Sequence, residues 1–477
     1  MTELKNKTME SISVFDIIKI GIGPSSSHTM GPWKAASMFL TFLGEKVEQI
    51  ESLDVFLYGS LAKTGRGHGT DIAILLGFSG EDYTKIDPMT IGEKVEKINT
   101  EKELFINGKH KIKFDPAIDL HFLNKETLQY HPNGMRFEVK YKNGEIFSKE
   151  YFSVGGGFVV SDLEKTNQVL LTTKYPCHSA QDIINNCKKL NLEIPELVFL
   201  NEQAWRTEKE IRAQVNLIWS EIKGCVFRGT KRKGVLPGGL NVRRRAYDMN
   251  KKLLQGKTAE NFDEWVEAIK NGKQDFNTVS KWISTFALSV NEENASLGRI
   301  ITAPTNGASG VIPAVMMYAY CFLDNFDEEN IIDFILIAGE IGTLYKKKAT
   351  ISAAMGGCQA EIGVSSSMAA AALTYVLGGN TKQILQAAEI AMEHHLGMTC
   401  DPIGGLVQIP CIERNSMGAI KAITAANIAV EDITDTSKIS LDDVIKTMWE
   451  TAQDMNGKYK ETSEGGLAKI PVNIPEC

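Results

Sequence analysis

The sequence predicts an α+β N-terminal domain followed by a larger all-α domain. Three observations carry this. Short β-branched and aromatic runs separated by glycines fill the first third, helical spacing dominates after Asn201, and a stretch without strong periodicity lies between them. With 477 residues, 43% of them hydrophobic and 23% charged, the chain can bury substantial cores in more than one domain.

In chain order, Leu53–Tyr58, Ile72–Leu76, Met135–Tyr141 and Phe152–Val160 read as strands by length and residue type. Lys142-Asn143-Gly144-Glu145 reads as a hairpin turn between two of them. One helix, about Thr29 to Gly44, is expected to pack on this sheet, and the mixed domain is expected to span residues 1–165. Residues 166–200 hold Tyr175-Pro176 and Ile194-Pro195 and read as a connector with one short helix around Ser179–Leu190. Residues 201–477 carry helical periodicity over Glu202–Trp219, Asn241–Leu254, Phe262–Asn271, Thr278–Glu292, Val311–Leu323, Glu328–Lys347, Ser365–Leu377, Lys382–His394, Asn415–Val430 and Ser440–Asn456. Several of these are apolar on every side, which predicts central helices wrapped by others.

Composition excludes whole classes. The 52 Lys+Arg against 59 Asp+Glu give a net charge of −7, so nothing global favours nucleic acid or a membrane surface. The basic stretch Arg228–Arg245 lacks interleaved aromatics and reads as a solvated or subunit-facing loop. The start has no cleavable apolar core, and the uncharged runs Ile301–Leu323 and Ile362–Thr381 are interrupted by polar residues, so a soluble, cytoplasmic protein is expected. Eight cysteines are too sparse for a disulfide scaffold and point to a reducing compartment.

Three of those cysteines share a context. Cys358, Cys400 and Cys411 all lie in loops or helix starts rich in Gly and Pro, whereas Cys177, Cys187, Cys225 and Cys321 have none in common and read as packing thiols. The first three are either buried small hydrophobes or thiolates gathered around a large cofactor. No Cys-x-x-Cys is present, and the wide spacing suits an iron–sulfur cluster better than a zinc ribbon. Cys477 ends the chain after Pro471 and Pro475; it is either a frayed terminus or a fourth, displaceable ligand.

Two N-terminal segments, GPSSSHTMGP from Gly23 and GSLAKTGRGHGTD from Gly59, cluster hydroxyls, glycines and the candidate proton carriers His28 and His68. Ser25, Ser26, Ser27 and Thr29 could receive a carboxylate at a helix entrance, or simply cap the helix. APTNGASG from Ala303 offers a similar entrance with Thr305, Asn306, Gly307 and Ser309, again with a plain cap as the alternative. The pair His394-His395 reads as a helix-end cap or a support for the nearby Cys400. Gly65-x-Gly67-x-Gly69 lacks the dinucleotide spacing, and no phosphate loop is present.

Together with KGVLPGGLNVRRRA from Lys233, SAAMGGCQAEIGVSSSMAAAAL from Ser352 and HHLGMTCDPIGGLVQIPCIERN from His394, these motifs closely resemble the bacterial iron–sulfur-dependent L-serine dehydratases in their single-chain form. The resemblance runs from about Val14 to the C-terminus. It implies an L-serine ammonia-lyase that forms pyruvate and ammonia with a 4Fe-4S cluster, and a homodimer. It implies Cys358, Cys400 and Cys411 as cluster cysteines, and Cys477 as a C-terminal cysteine that can occupy the fourth iron. His68 or His28 is then the expected base, with Ser25, Ser26, Ser27, Thr29, Thr305, Asn306, Gly307 and Ser309 as substrate contacts. Two other readings compete: a pyridoxal-phosphate lyase, for which Gly155-Gly156-Gly157 is only a faint echo of a phosphate cup, and a non-enzymatic amino-acid or redox sensor.

Overall fold

A strand pair links the first part of the chain to the second. In the computed structural model, which describes residues 11–161, 173–432 and 437–472, β1 (Lys19–Ile22) lies antiparallel to β9 (Arg299–Thr302), with Lys19 opposite Thr302 and Ile22 opposite Arg299. Between them in sequence come β2 (Ile50–Tyr58), β3 (Glu103–Ile106), β4 (His110–Lys113), β5 (Leu120–Leu123), β6 (Gly134–Tyr141), β7 (Ile146–Ser153) and β8 (Val159–Ser161).

The main sheet has the order β5-β2-β6-β7-β8, parallel between β2 and β5 and antiparallel elsewhere. Its alternation is that of a sheet with one covered face: Leu53, Val55 and Leu57 are buried, and helices Gly31–Leu43 and Thr70–Phe78 contribute Phe39, Ile74 and Phe78 to the same core. The Lys142–Glu145 turn joins β6 to β7, with the Gly144 N–H donating to the Tyr141 carbonyl at 2.8 Å.

The sequence expectation fails at Ile72–Leu76, which is helical within Thr70–Phe78. A short apolar run cannot distinguish a buried helix from a strand, and here Ala73, Ile74, Leu75 and Leu76 are all buried around one helix. The run Phe152–Val160 is two strands, β7 and β8, parted by Gly155, Gly156 and Gly157, all at positive φ. The span Glu202–Trp219 divides into helices Ile194–Glu202 and Glu208–Lys231, because Thr207 and Glu210 form a capping box that starts the second. β1, β9 and the β3–β4 hairpin are strands that the sequence reading does not contain.

Helix Ile362–Val376 lies at the centre of the helical part and is buried from Ile362 to Thr374. Its serines are satisfied by its neighbours: Ser366 donates to the Gly418 carbonyl at 2.9 Å and Ser367 to that of Ala388 at 2.7 Å. Alanines on the same helix let helices Glu328–Lys348, Thr381–Glu393 and Cys411–Glu431 approach closely.

The basic stretch is largely exposed, as the solvated reading expects, but one of its arginines is buried. Arg244, 3% exposed, lies 3.1 Å from Glu293, 2% exposed, and Arg232 and Arg228 reach the same carboxylate at 3.0 and 3.7 Å. Buried charge of this kind tolerates no missing partner. Glu293→Gln leaves the Arg244 guanidinium uncompensated and should destabilise the protein by about 3 kcal/mol, read as a lowered midpoint in denaturant unfolding.

Candidate active site

The β1–β9 pair carries the chain straight into two of the motif loops. Asn306 donates to the Ile22 carbonyl at 2.6 Å and accepts from Thr302 at 2.6 Å, while Asn294 donates to the Pro24 carbonyl at 2.8 Å. The Ser25–Thr29 and Thr305–Ser309 segments are thereby held side by side. Gly23 is needed for this approach, since a Cβ there would overlap the Asn294 carbonyl.

Ser26–Met30 forms one turn of π-helix leading into helix Gly31–Leu43, and Ser25, Ser26, Ser27, His28 and Thr29 are all buried. The Ser25 hydroxyl accepts from the His28 N–H at 3.1 Å, and Thr29 donates to the His68 carbonyl at 2.7 Å. The His28 and His68 rings lie 4.6 Å apart. Burial, reinforced by the neighbouring His68, holds His28 well below the ordinary histidine value. Burial lowers His68 to about 4.

The His68 Nδ1 lies 3.0 Å from the Thr64 carbonyl. A carbonyl only accepts, so Nδ1 carries the proton and Nε2 is the bare nitrogen. His28 Nδ1 lies 2.9 Å from the Ser27 hydroxyl and 3.5 Å from Glu461 Oε1, and its Nε2 lies 3.1 Å from the Ser60 hydroxyl.

Three cysteines arrive from three segments. Cys358 stands in the tight turn Gly357–Ala360 before the central helix, Cys400 in the loop after helix Thr381–Glu393, and Cys411 opens helix Cys411–Glu431. All three are buried as free thiols. The Cys358 and Cys400 sulfurs and a Glu361 carboxylate oxygen lie within 4.8 Å of one another. Contact with Cys358, then burial, pushes the Cys400 thiol well up, and burial, then the charge of Cys358, does the same to Cys411.

Arg414 is a cation set against all three sulfurs, and it is fixed by a 2.7 Å bond from Nη1 to the Thr399 carbonyl. Glu361 lies half-buried beside Thr305, and a Cβ on Gly307 would sit 2.9 Å from both its oxygens, so a side chain there would push the carboxylate aside. Burial raises the Glu361 carboxyl, and burial with the charges of Glu361 and Cys358 raises that of Glu461.

The structure therefore brings together Cys358, Cys400 and Cys411, and separately seats His28 and His68 among the Ser25–Thr29 hydroxyls. The Glu461 segment joins the two groups: its N–H donates to the Cys400 carbonyl at 2.8 Å, and its side chain faces His28. The Ser309 hydroxyl is buried without a partner among the described residues, whereas the Asn306 amide is engaged in the β1–β9 stitch. The His395 ring is buried, with Nδ1 2.6 Å from the Ala391 carbonyl of its own helix end; His394 is exposed. Cys477 lies outside the described residues.

Glu361, Arg414, Ser60 and Glu461 are site residues that the sequence reading does not name. Glu361 and Arg414 each stand three residues after a motif cysteine, one helical turn on, which is the signal that could have found them. Ser60 lies among the hydroxyls of the GSLAKTGRGHGTD motif, which is its signal, whereas Glu461 has none comparable.

The donor set fits a soft, thiolate-binding metal centre. Three buried sulfurs can ionise together only against added positive charge, and Arg414 supplies a single unit. A cleft of about 380 Å³ opens nearby between the two parts, lined by Pro24, Arg66, Gly67, Pro237, Leu406 and Gln408. No helix among the described residues is long and apolar enough to cross a membrane.

This arrangement defines a two-part enzyme with a buried thiol centre beside paired imidazoles. The serine dehydratase beta chain profile matches residues 13–164, and the serine dehydratase alpha chain profile matches residues 189–468. The chain is 46% identical to the L-serine dehydratase of Streptomyces coelicolor over 98% of its length and 100% of the relative. It is 44% identical to the L-serine dehydratase of Haemophilus influenzae, covering 97% and 100%, and 43% identical to L-serine dehydratase 2 of Escherichia coli K12, covering 96% and 98%. The chain belongs to the serine dehydratase family, with the beta and alpha segments in one polypeptide.

Because burial and mutual repulsion hold Cys400 and Cys411 neutral, iodoacetamide should label them slowly in metal-free protein at pH 8. Arg414→Met removes the cation that favours thiolate and should slow labelling further, measured by mass spectrometry; faster labelling would show that Arg414 only blocks access.

Proposed function

We propose that this protein is an L-serine ammonia-lyase that converts L-serine to pyruvate and ammonia, and that it works as a cytoplasmic homodimer. The observation that carries the reading is the meeting of the Cys358 and Cys400 sulfurs with Glu361, with Cys411 and Arg414 in electrostatic reach of Cys358, in the same site as the buried His28 and His68. In this reading residues 201–477 hold a 4Fe-4S cluster through Cys358, Cys400 and Cys411, with Cys477 as the displaceable fourth ligand. Residues 1–165 contact the substrate or regulate its turnover, and residues 166–200 connect the two parts.

Loss of hydroxide from the β-carbon needs an acid at the oxygen, and loss of the weakly acidic α-hydrogen needs a base. Held by Cys358, Cys400 and Cys411, such a cluster would supply a Lewis acid for the substrate hydroxyl once Cys477 is displaced. The chain's own residues supply the rest. A neutral imidazole is the form that accepts a proton, and burial keeps both rings in that form at neutral pH. The bare Nε2 of His68 or the His28 ring takes the α-proton. The hydroxyls of Ser25, Ser26, Ser27, Thr29, Thr305 and Ser309, together with the N–H groups around Gly307, orient the substrate carboxylate and amine. Elimination of water gives aminoacrylate, which tautomerises to the imine. Addition of water then releases ammonia and pyruvate, so atoms balance without an external oxidant.

Anaerobically purified protein should contain about four iron and four sulfide per chain and release pyruvate only when L-serine is added. Cys358→Ala, Cys400→Ala and Cys411→Ala should each abolish both properties. Pyridoxal absorbance without iron would refute the assignment, and a cluster-bearing protein that releases no pyruvate would mark it as a sensor.

The pH dependence has a definite sign. A base must be unprotonated, so activity falls as pH drops through its pKa. With His68 lowered to about 4, kcat/KM should stay flat from about pH 8 down to about pH 6, where an ordinary histidine would already be titrating. An acid limb centred near pH 7 would exclude His68 as the base.

A further inference from the structure

Ser60, in helix Gly59–Thr64, has one hydroxyl proton and two neighbours that could take it. Its Oγ lies 2.8 Å from the Glu461 carbonyl oxygen and 3.1 Å from His28 Nε2. The carbonyl has no proton to give, so Ser60 donates to Glu461 and faces His28 as an acceptor. His28 Nε2 must then carry a proton. In the neutral ring that leaves Nδ1 bare, and the Ser27 hydroxyl, 2.9 Å away, donates to it.

We propose that Ser60 is a positioning residue that locks His28 in its Nε2–H tautomer, and that the backbone carbonyl of Glu461 sets this choice from the C-terminal segment. The inference deepens the assignment of His28 as a candidate base and rests on it. His28 is free to be neutral because burial and the neighbouring His68 disfavour a second proton.

The Glu461 carbonyl is itself held in place. Its residue donates to the Cys400 carbonyl at 2.8 Å, and Cys400 donates to that of Tyr459 at 2.8 Å. Further along, Glu464 pairs with Lys63 at 2.6 Å, and the Leu467 N–H donates to Asp401 at 2.8 Å. Residues 459–467 therefore form a strap from the Cys400 loop to helix Gly59–Thr64, which reaches the His28 ring at Nε2 through Ser60 and at Nδ1 through the Glu461 carboxyl, 3.5 Å away and held toward its neutral form by burial. The sense of the relay runs from Ser27 through the His28 ring and Ser60 to a terminus that can only accept. His68, fixed through Nδ1 by the Thr64 carbonyl, takes the opposite tautomer. The two neighbouring rings thus carry their protons on different nitrogens, and the strap bonds reach the His28 ring alone.

The test uses full-length holoenzyme labelled with 15N-histidine, with His28→Gln to assign the ring. Long-range proton–nitrogen spectra should show His28 protonated at Nε2. Ser60→Ala should lose that signature and lower kcat about 10-fold or more, with KM within about twofold and iron content unchanged. Ser60→Thr, which keeps the hydroxyl, should restore both. An unchanged Nε2–H signature in Ser60→Ala overturns the proposal outright. A changed signature with full turnover overturns the role of His28 as base, and the positioning role falls with it. If Ser60→Thr keeps the tautomer but turns over no faster than Ser60→Ala, the hydroxyl acts by packing and the proposal also fails.

Discussion

The pairing of β1 with β9 is the constraint on which the rest depends. These strands belong to distant segments of the chain, and each is only four residues long. By itself such a pair is marginal. Its strength comes from the residues that flank the two strands: Asn306 reaches back to the Ile22 carbonyl and to Thr302, and Asn294 holds the Pro24 carbonyl. These bonds are buried, where an unmade one would cost the full desolvation of its group. The pairing therefore fixes the serine-rich turn against the Thr305–Ser309 loop and closes one wall of the site.

The second constraint is burial of groups that would rather be charged. His28, His68, Cys400, Cys411, Glu361 and Glu461 are all shifted toward their neutral forms. Arg414 is moved the other way, because it faces three sulfurs. A site assembled like this holds its imidazoles unprotonated and its thiols uncharged until added positive charge at the sulfurs stabilises thiolate. The same burial acts on Cys177 and Cys321, both raised to about 12, but each stands apart from the converging sulfurs that surround Cys358. Burial alone makes a thiol inert; convergence with a second sulfur and a carboxylate is what makes Cys358 and Cys400 candidate ligands.

Much of this was legible in the sequence where the chemistry is local. The two-part fold class followed from periodicity, and the motif cysteines stood out because glycine and proline mark the breaks between buried helices. The long apolar helices were found almost in place, since each repeats its pattern over several turns. Ile72–Leu76 was misread because a five-residue apolar run carries no period, and the helix that claims it is decided by packing against Trp33 and Ala36. β1 and β9 are invisible because each is specified by the other. Asn306 shows the same limit from another side: its position in a glycine-rich entrance suggests a ligand contact, yet its amide is taken up by the strand pair. The basic stretch is solvated over most of its length, as its composition suggests, but a sequence cannot show that Glu293, far along the chain, draws Arg244 inward.

In the proposed reading, elimination asks for an acid at the leaving oxygen and a base at the α-carbon, and the chain places its candidates for the two in different parts. The thiol centre is anchored on helix ends of the larger part, where the central helix and its neighbours leave little freedom, and the imidazoles ride on a turn and a glycine-rich segment of the smaller part. The division creates a joint that must be kept in register, and β1–β9 holds one end of it. The strap of residues 459–467 holds the other, tying the Cys400 loop to the helix that bears Ser60. Each tie pairs main-chain bonds with polar side chains: the β1–β9 ladder is stitched by Asn306 and Asn294, and the strap, bonded to the Cys400 loop through its backbone, reaches the smaller part through Ser60 and Lys63. The geometry of the site therefore depends on these few polar side chains as well as on the backbone bonds they extend.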